Sequence, residues 1–340
     1  MSKKLKVGLM ARADNSGLGI LSWDLNKNLD FEKVMIVTNE YPIDLERYDE
    51  KKTTICDRGI PSLQEIKAFL DGLDVVITLE TPYNWNFYKI ARDMGVKTAL
   101  MVMYEWTPDQ KRMPSEPDMY LCPTQLDYDT LWGNKHLVPV PVNRKDVPFK
   151  ERTEAKTFIF NNGHGGYGGR NSLNEFLQAV QMVKADVKFI IRTQVPMDES
   201  IRDSRIEIQI GEVDYDKLWS EGDIYVHAHK FDGLSLPLQE ALSAGYPVIA
   251  VDREPYNNIL PEEMLFDYDA KYSVQLPLRT IKAVTINPRT LADKIEEFAA
   301  MPNNKIKELS NKSDALAKEM SWSKLKPQYE QIFQQLYDGK

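Results

Sequence analysis

The sequence predicts an α/β protein built from two successive domains, each a parallel sheet with helices on its faces. Three observations carry that prediction. Short, near-continuous apolar runs alternate with segments of helical spacing, as strands buried on both faces require. The whole pattern restarts after a polar, proline-bearing stretch, "PVNRKDVPFKERTEAK" at 141–156, which reads as a linker. And 340 residues exceed what one hydrophobic core usually organises.

The first series of strands is expected at 5–10, 33–38, 74–79, 97–103 and 118–122, with helices at 62–72 and 85–95 that each close on glycine. The second series is expected at 157–161, 187–192, 205–210, 223–228 and 246–251. A last helix, from about 322 to 337, puts Trp322, Leu325, Tyr329, Ile332, Phe333 and Leu336 on one apolar stripe and needs a partner surface. These readings divide the chain into domains at 1–148 and 149–320 and a closing helical segment at 321–340.

Composition removes several classes of function. No run approaches the ~18 apolar residues of a membrane span, and the N-terminal apolar run breaks at Arg12, so a cytoplasmic protein without a signal peptide is expected. Two cysteines, Cys56 and Cys122, make no disulfide framework. A net charge of −8 argues against a chain whose main task is gripping a polyanion. The first 150 residues are nearly neutral, with basic spots at Lys111-Arg112 and Arg144-Lys145 that read first as solvated surface.

The informative stretch is "FDGLSLPLQEALSAGYPVIAVD" at 231–252. It follows a strand and opens a helix that Ser235 can cap and Pro237 can start. In open α/β sheets, ligands sit at the carboxyl ends of strands, where helix N-termini favour phosphate. Gly233, Leu234 and Ser235 would present amides to a diphosphate. Glu240 would stand about 6–8 Å further along the helix, at ~1.5 Å per residue, near a ribose. A structural ion pair is the other reading of Glu240. Upstream, "TFIFNNGHGGYGGRNSLNEFLQAV" at 157–180 carries Gly163, Gly165, Gly166 and two further glycines ahead of Arg170, a loop through which backbone can approach an anion.

These two motifs resemble the signature of retaining GT-B glycosyltransferases of family 4. The resemblance covers most of 157–337 by motif and 1–150 by layout. It implies a GT-B fold, two Rossmann-like domains facing across a cleft, and transfer of a sugar from a nucleotide-sugar donor, with a UDP-sugar favoured. It places Glu240 on the ribose, Asp232 on the donor sugar, Arg170 on phosphate and His229 near the donor. The family usually has Glu where this chain has the shorter Asp232. Its earlier loop arginine is missing, and Arg192 is a candidate for that charge. The closing segment resembles the family's, whose helix crosses back to the first domain.

At the front, "VGLMARADNSGLGILSWDL" puts Gly17 and Gly19 between a strand and a helix. The dinucleotide-binding pattern is incomplete because position 22 is Ser. In the resemblance this loop, with Arg12, faces the donor phosphates and acceptor, and Asp14 and Glu105 are candidates for an acceptor-side base. The opening also resembles glycosyltransferases of large bacteriophages, some of which modify DNA bases. That makes a DNA-base hydroxyl one acceptor to consider, beside a glycan or small molecule. A nucleotide-sugar epimerase and a catalytically weak binding module stay open as alternatives.

No cofactor beyond the donor and no metal is expected. "HAH" at 227–229 sets two imidazoles on one strand face, but no third ligand appears at supporting spacing. Trp106 and Trp132 are candidates for stacking against a sugar or base, with core packing as the other reading.

Overall fold

The computed structural model describes residues 4–197, 203–211, 213 and 217–339. The chain forms two compact units. One comprises residues 1–140, 275–280 and 322–340; the other comprises 141–274 and 281–321.

The first unit is a seven-stranded sheet. Its strands and helices are β1 (Val7–Ala11), α1 (Gly17–Asn28), β2 (Lys33–Val37), β3 (Thr53–Cys56), α2 (Leu63–Leu70), β4 (Val75–Leu79), α3 (Phe87–Asp93), β5 (Lys97–Met101), β6 (Met119–Cys122), α4 (Gln125–Thr130) and β7 (Lys135–Leu137). The order is β3-β2-β1-β4-β5-β6-β7, every pairing parallel. β1, β4 and β6 are buried along their whole length. Sequence reading finds the five inner strands and misses β3 and β7. Those are the sheet's edges, short and largely exposed, so they lack the continuous apolar run that marks a doubly covered strand.

Helix α2 opens with a capping box: Ser62 Oγ accepts from the Glu65 N–H while the Glu65 carboxylate accepts from the Ser62 N–H. The C-terminal helix (Trp322–Asp338) packs on β4 and β5 of this unit through Leu325, Tyr329, Ile332, Phe333 and Leu336. The Trp322 indole is half-buried, its ring 6.2 Å from the Tyr329 ring, and donates to Asp24 Oδ2 at 2.7 Å.

The second unit is built of β8 (Thr157–Gly163), α5 (Leu173–Met182), β9 (Lys188–Thr193), β10 (Ile206–Ile210), β11 (Ile224–His227), α6 (Leu236–Ser243), β12 (Val248–Val251) and β13 (Leu265–Phe266). Beyond these come the two-stranded pair β14 (Ala270–Gln275) and β15 (Thr280–Thr285), then α7 (Pro288–Ala300) and α8 (Asn303–Glu319); the C-terminal helix of the first unit is α9. The main sheet runs β10-β9-β8-β11-β12-β13, again all parallel. α6 packs on α8, and α5 on α7.

Each sheet therefore reverses its winding once, between β1 and β4 in the first unit and between β8 and β11 in the second. In α/β folds such a reversal, at the carboxyl ends of the strands, is where ligands bind. No helix among the described residues is long and apolar enough to cross a membrane.

Candidate functional site

In the second unit the loops leaving β8 and β11 meet at the reversal. Gly163, Gly165, Gly166, Gly168 and Gly169 all take positive φ. At Gly166 a Cβ would lie 2.6 Å from Asn171 Oδ1, so both conformation and space demand glycine. Asn171 Nδ2 donates to the Asn162 carbonyl at 2.6 Å, and Asn162 Nδ2 donates to Thr193 Oγ1 at 3.1 Å, so the asparagines brace the loop. Their remaining oxygens, with Asn161 Oδ1 and Ser172 Oγ, are buried and make no hydrogen bond among the described residues. Four such atoms around one loop are unusual in a folded chain.

Arg170 is half-buried at the end of this loop, and its carbonyl accepts from the Lys230 N–H at 2.8 Å. That bond joins the loop after β8 to the loop after β11. Lys230 Nζ in turn pairs with Glu175 at 2.6 Å.

Gly233 and Leu234 lead into α6, whose cap is Ser235: its hydroxyl accepts from the Leu238 N–H, and Pro237 stands in the first turn. Glu240 lies in α6 and is only 8% exposed, and its Oε2 accepts from the Trp219 indole at 3.1 Å. Trp219 is itself packed edge-on against Tyr225 and Tyr246. Sequence reading did not find Trp219, which stands in an irregular segment with no motif around it.

Asp232 is the centre of a buried network. Its Oδ2 accepts from His229 Nδ1 at 2.7 Å, and its Oδ1 receives the Arg253 guanidinium and the Tyr256 hydroxyl. Arg253 also donates to the carbonyls of His229 and Asp232, at 2.9 and 3.2 Å. The donors run in one direction: Tyr225 hydroxyl to His227 Nδ1, His227 Nε2–H to the Tyr256 oxygen, Tyr256 hydroxyl to Asp232.

Burial opposes the charge on Asp232, yet Arg253 and the two histidines hold its carboxyl well below the ordinary range. Burial, with His227 beside it, pushes His229 down to about 3, and burial likewise lowers His227. Both rings are neutral at pH 7, and with Nδ1–H donating to Asp232, His229 keeps Nε2 as an acceptor. Arg253 and Tyr256 were invisible to motif reading; the only signal was a charged residue just past the end of β12.

The structure supplies the surroundings of two groups singled out in the sequence. The third ligand-type group that the "HAH" spacing did not reveal is Asp232: His227, His229 and Asp232 offer atoms within 4.8 Å of one another. The arrangement nonetheless suits a cation poorly, because a buried guanidinium already sits on that carboxylate and would repel it. Arg192, expected to supply phosphate charge, is 4% exposed and bonded to Gln209, Glu221 and the Leu218 carbonyl, so its charge is committed between β9 and the segment before β11.

In the first unit, Arg12 and Asp14 follow β1 and bind each other, Arg12 Nε to Asp14 Oδ2 at 2.8 Å, while Asp14 Oδ1 accepts from the Ser16 N–H. Gly17 and Gly19 fall inside the first turn of α1 rather than in a loop ahead of it. Gly19 is obligatory: a Cβ there would lie 2.0 Å from the Asp14 carbonyl oxygen. Glu105, after β5, is buried at 5% exposure, and Trp106 is half-buried near it in the chain.

Sequence reading missed Glu80. It follows β4 with φ of 67°, its neighbour Tyr83 has φ of 56°, and burial, with Glu105 and Asp14 nearby, raises its carboxyl to about 7. Two non-glycine residues held in the left-handed region within one loop store strain of the kind found at functional sites.

No protein-family model matches the sequence, and no curated protein matches it. Solved structures do. Sucrose-phosphate synthase from Thermosynechococcus elongatus superposes with a TM-score of 0.71 at 13% identity, over 99% of this chain and 100% of that one. A glycosyltransferase from Rickettsia africae ESF-5 gives 0.73 at 13%, over 98% and 99%. Anabaena HepE, solved with UDP and glucose, gives 0.70 at 10%, over 97% and 100%. The chain has the fold of these GT-B glycosyltransferases.

Proposed function

We propose that the protein is a glycosyltransferase that takes its sugar from a nucleotide-sugar, a UDP-sugar by preference, and delivers it to an acceptor hydroxyl. The carrying observation is the bond from the Lys230 N–H to the Arg170 carbonyl, which brings the glycine loop after β8 and the loop before α6 together at the carboxyl ends of two central strands. Supporting it are the four buried oxygens around that loop, each suited to a ligand hydroxyl or N–H, and the UDP and glucose bound in the HepE structure.

In this reading the loop amides, Arg170 and the first turn of α6, with Gly233, Leu234 and Ser235, hold the diphosphate and stabilise the charge that grows on it as the bond to the sugar's anomeric carbon breaks. A new bond forms from that carbon to the acceptor oxygen, which loses its proton. Glu240, steadied by the Trp219 indole, receives the ribose hydroxyls. Asp232 acts on the donor sugar through His229, because its own oxygens are engaged. Donor binding involves no metal, and the anomeric configuration is retained. On the acceptor side the two bases expected from sequence are Asp14, which binds Arg12, and Glu105. A phage DNA base and a glycan or small molecule are the acceptor classes; affinity for DNA would fall steeply with salt, through counterion release.

The test is release of UDP from a panel of UDP-, GDP- and ADP-sugars, with calorimetric binding of UDP alone. Binding and turnover with one base support the proposal. Absence of any nucleotide binding overturns it. The engagement of Asp232 favours a second reading, a nucleotide-sugar-binding module with weak catalysis; UDP binding without turnover over a broad acceptor panel would select it.

A further inference from the structure

We propose that the first unit carries a separate binding site for a small phosphate monoester with a hydroxylated, sugar-sized body. The site is a cavity of about 260 Å3 bordered by the short turn Gln110–Arg112 and by the residues that follow α4. Its lining includes Asp109, Gln110, Lys111, Arg112, Trp132 and Arg279. The lining carries three cations against one carboxylate, with Asp127 beyond it close enough to feel Arg279, so an anion is the natural occupant.

The walls are built and held. Gln110, 5% exposed, accepts from the Trp132 N–H at 3.0 Å and donates to the Trp132 carbonyl at 3.1 Å, clamping the two borders together. Lys135 Nζ donates to the carbonyls of Tyr128 and Leu131, which fixes the end of α4. With its backbone pinned this way, Trp132 is still 49% exposed. An indole held at a pocket edge offers an apolar face, against which the C–H face of a sugar ring can pack.

Arg279 is the sharpest feature. Its side chain is only 11% exposed, and its guanidinium lies over the Tyr104 ring at 4.9 Å. Its approach to Asp109 is 3.6 Å and to the Thr107 carbonyl 3.5 Å, both at or beyond the limit of a hydrogen bond, and Nε makes none among the described residues. A buried charged donor left short of partners is costly, and a phosphate oxygen would satisfy it. The volume lies just below the ~300–1,000 Å3 of drug-sized sites, which favours a monosaccharide phosphate over a nucleotide.

The experiment is a titration of the whole protein, at fixed ionic strength, with glucose 6-phosphate, inorganic phosphate and glucose, followed by tryptophan fluorescence and by calorimetry. A saturable response to the sugar phosphate, a weaker one to phosphate and none to glucose is expected. The double variant K111A/R112A, on exposed positions that leave folding intact, should weaken binding about tenfold or more, as should R279Q. W132F should remove the fluorescence change while calorimetry still detects binding. UDP affinity should be the same in all variants. No saturable binding of the sugar phosphate, or binding unaltered in K111A/R112A and R279Q, overturns the proposal.

Discussion

Arg253 places its guanidinium on the Asp232 carboxylate, and both side chains are almost wholly buried, at 7% and 3% exposure. The ion pair spans 21 residues and holds the loop after β11 against the segment after β12. Removing one partner of a buried pair strands the other charge. Arg253→Ala should therefore cost about 3–5 kcal/mol of unfolding free energy. Asp232→Asn, which keeps an acceptor, should cost less. Denaturant unfolding of the two variants checks the order.

The neutral, buried His227 and His229 make stability depend on pH. Their folded values lie below the ordinary histidine value of 6.5, so the unfolded chain binds more protons once pH drops below that value. Their contribution is present above pH ~6.5 and is lost as pH falls toward 3. Asp232, also depressed, adds to the loss below its ordinary value of 3.8. Melting temperature should decline from about pH 6.5 downward, and His229→Asn should flatten that limb.

The opposite slope belongs to the first unit. Burial raises Asp127 to about 7, against an opposing bond from the Thr124 hydroxyl at 2.6 Å, and Glu80 rises to a similar value. A raised carboxyl favours the folded state at low pH, and that advantage is lost as pH climbs from about 4 to 7. The slope is at most about 1.4 kcal/mol per pH unit for each group. Asp127→Asn should remove this group's share of that loss between about pH 4 and 7, read by denaturant midpoints against wild type.

Arg170→Ala should weaken UDP binding and lower turnover about 100-fold, the scale of losing one preorganised donor to developing charge. Glu240→Ala should reduce turnover about 10- to 100-fold, in line with hydrogen bonds to a charged group. Trp219→Phe, which removes the indole N–H and leaves a smaller ring in its place, should raise KM for the donor several-fold with little change in kcat. Equal kinetics for wild type and Glu240→Ala would take Glu240 out of the site.

Gly17 and Gly19 separate packing from conformation. At Gly17 a Cβ meets nothing within 4 Å, whereas at Gly19 it strikes the Asp14 carbonyl. Gly17→Ala should be neutral or stabilise by about 0.5–1 kcal/mol, as expected for alanine in a helix. Gly19→Ala should destabilise by about 1–3 kcal/mol. Thermal unfolding of the pair distinguishes them.

The fold was legible because it rests on local pattern. Doubly buried parallel strands must be continuously apolar, and the runs around Val76, Leu100, Ile159 and Val226 say so without reference to any partner. The same holds for the cap at Ser235, the glycine loop before Arg170 and the apolar stripe of α9, each a property of residues three to seven positions apart. Edge strands β3 and β7 escaped because an edge needs no such pattern.

What only the tertiary structure decided is where each charge ends. Arg192 and Asp232 carry the right chemistry for phosphate and sugar, yet Glu221 claims one and Arg253 the other, over separations of 29 and 21 residues. Trp219, Glu80, Tyr256 and the Lys111, Trp132 and Arg279 cavity belong to the same class. A side chain's backbone periodicity is written in its neighbours along the chain, but its electrostatic partner is chosen by the packing of distant elements, so pairing becomes visible only once the sheets have formed.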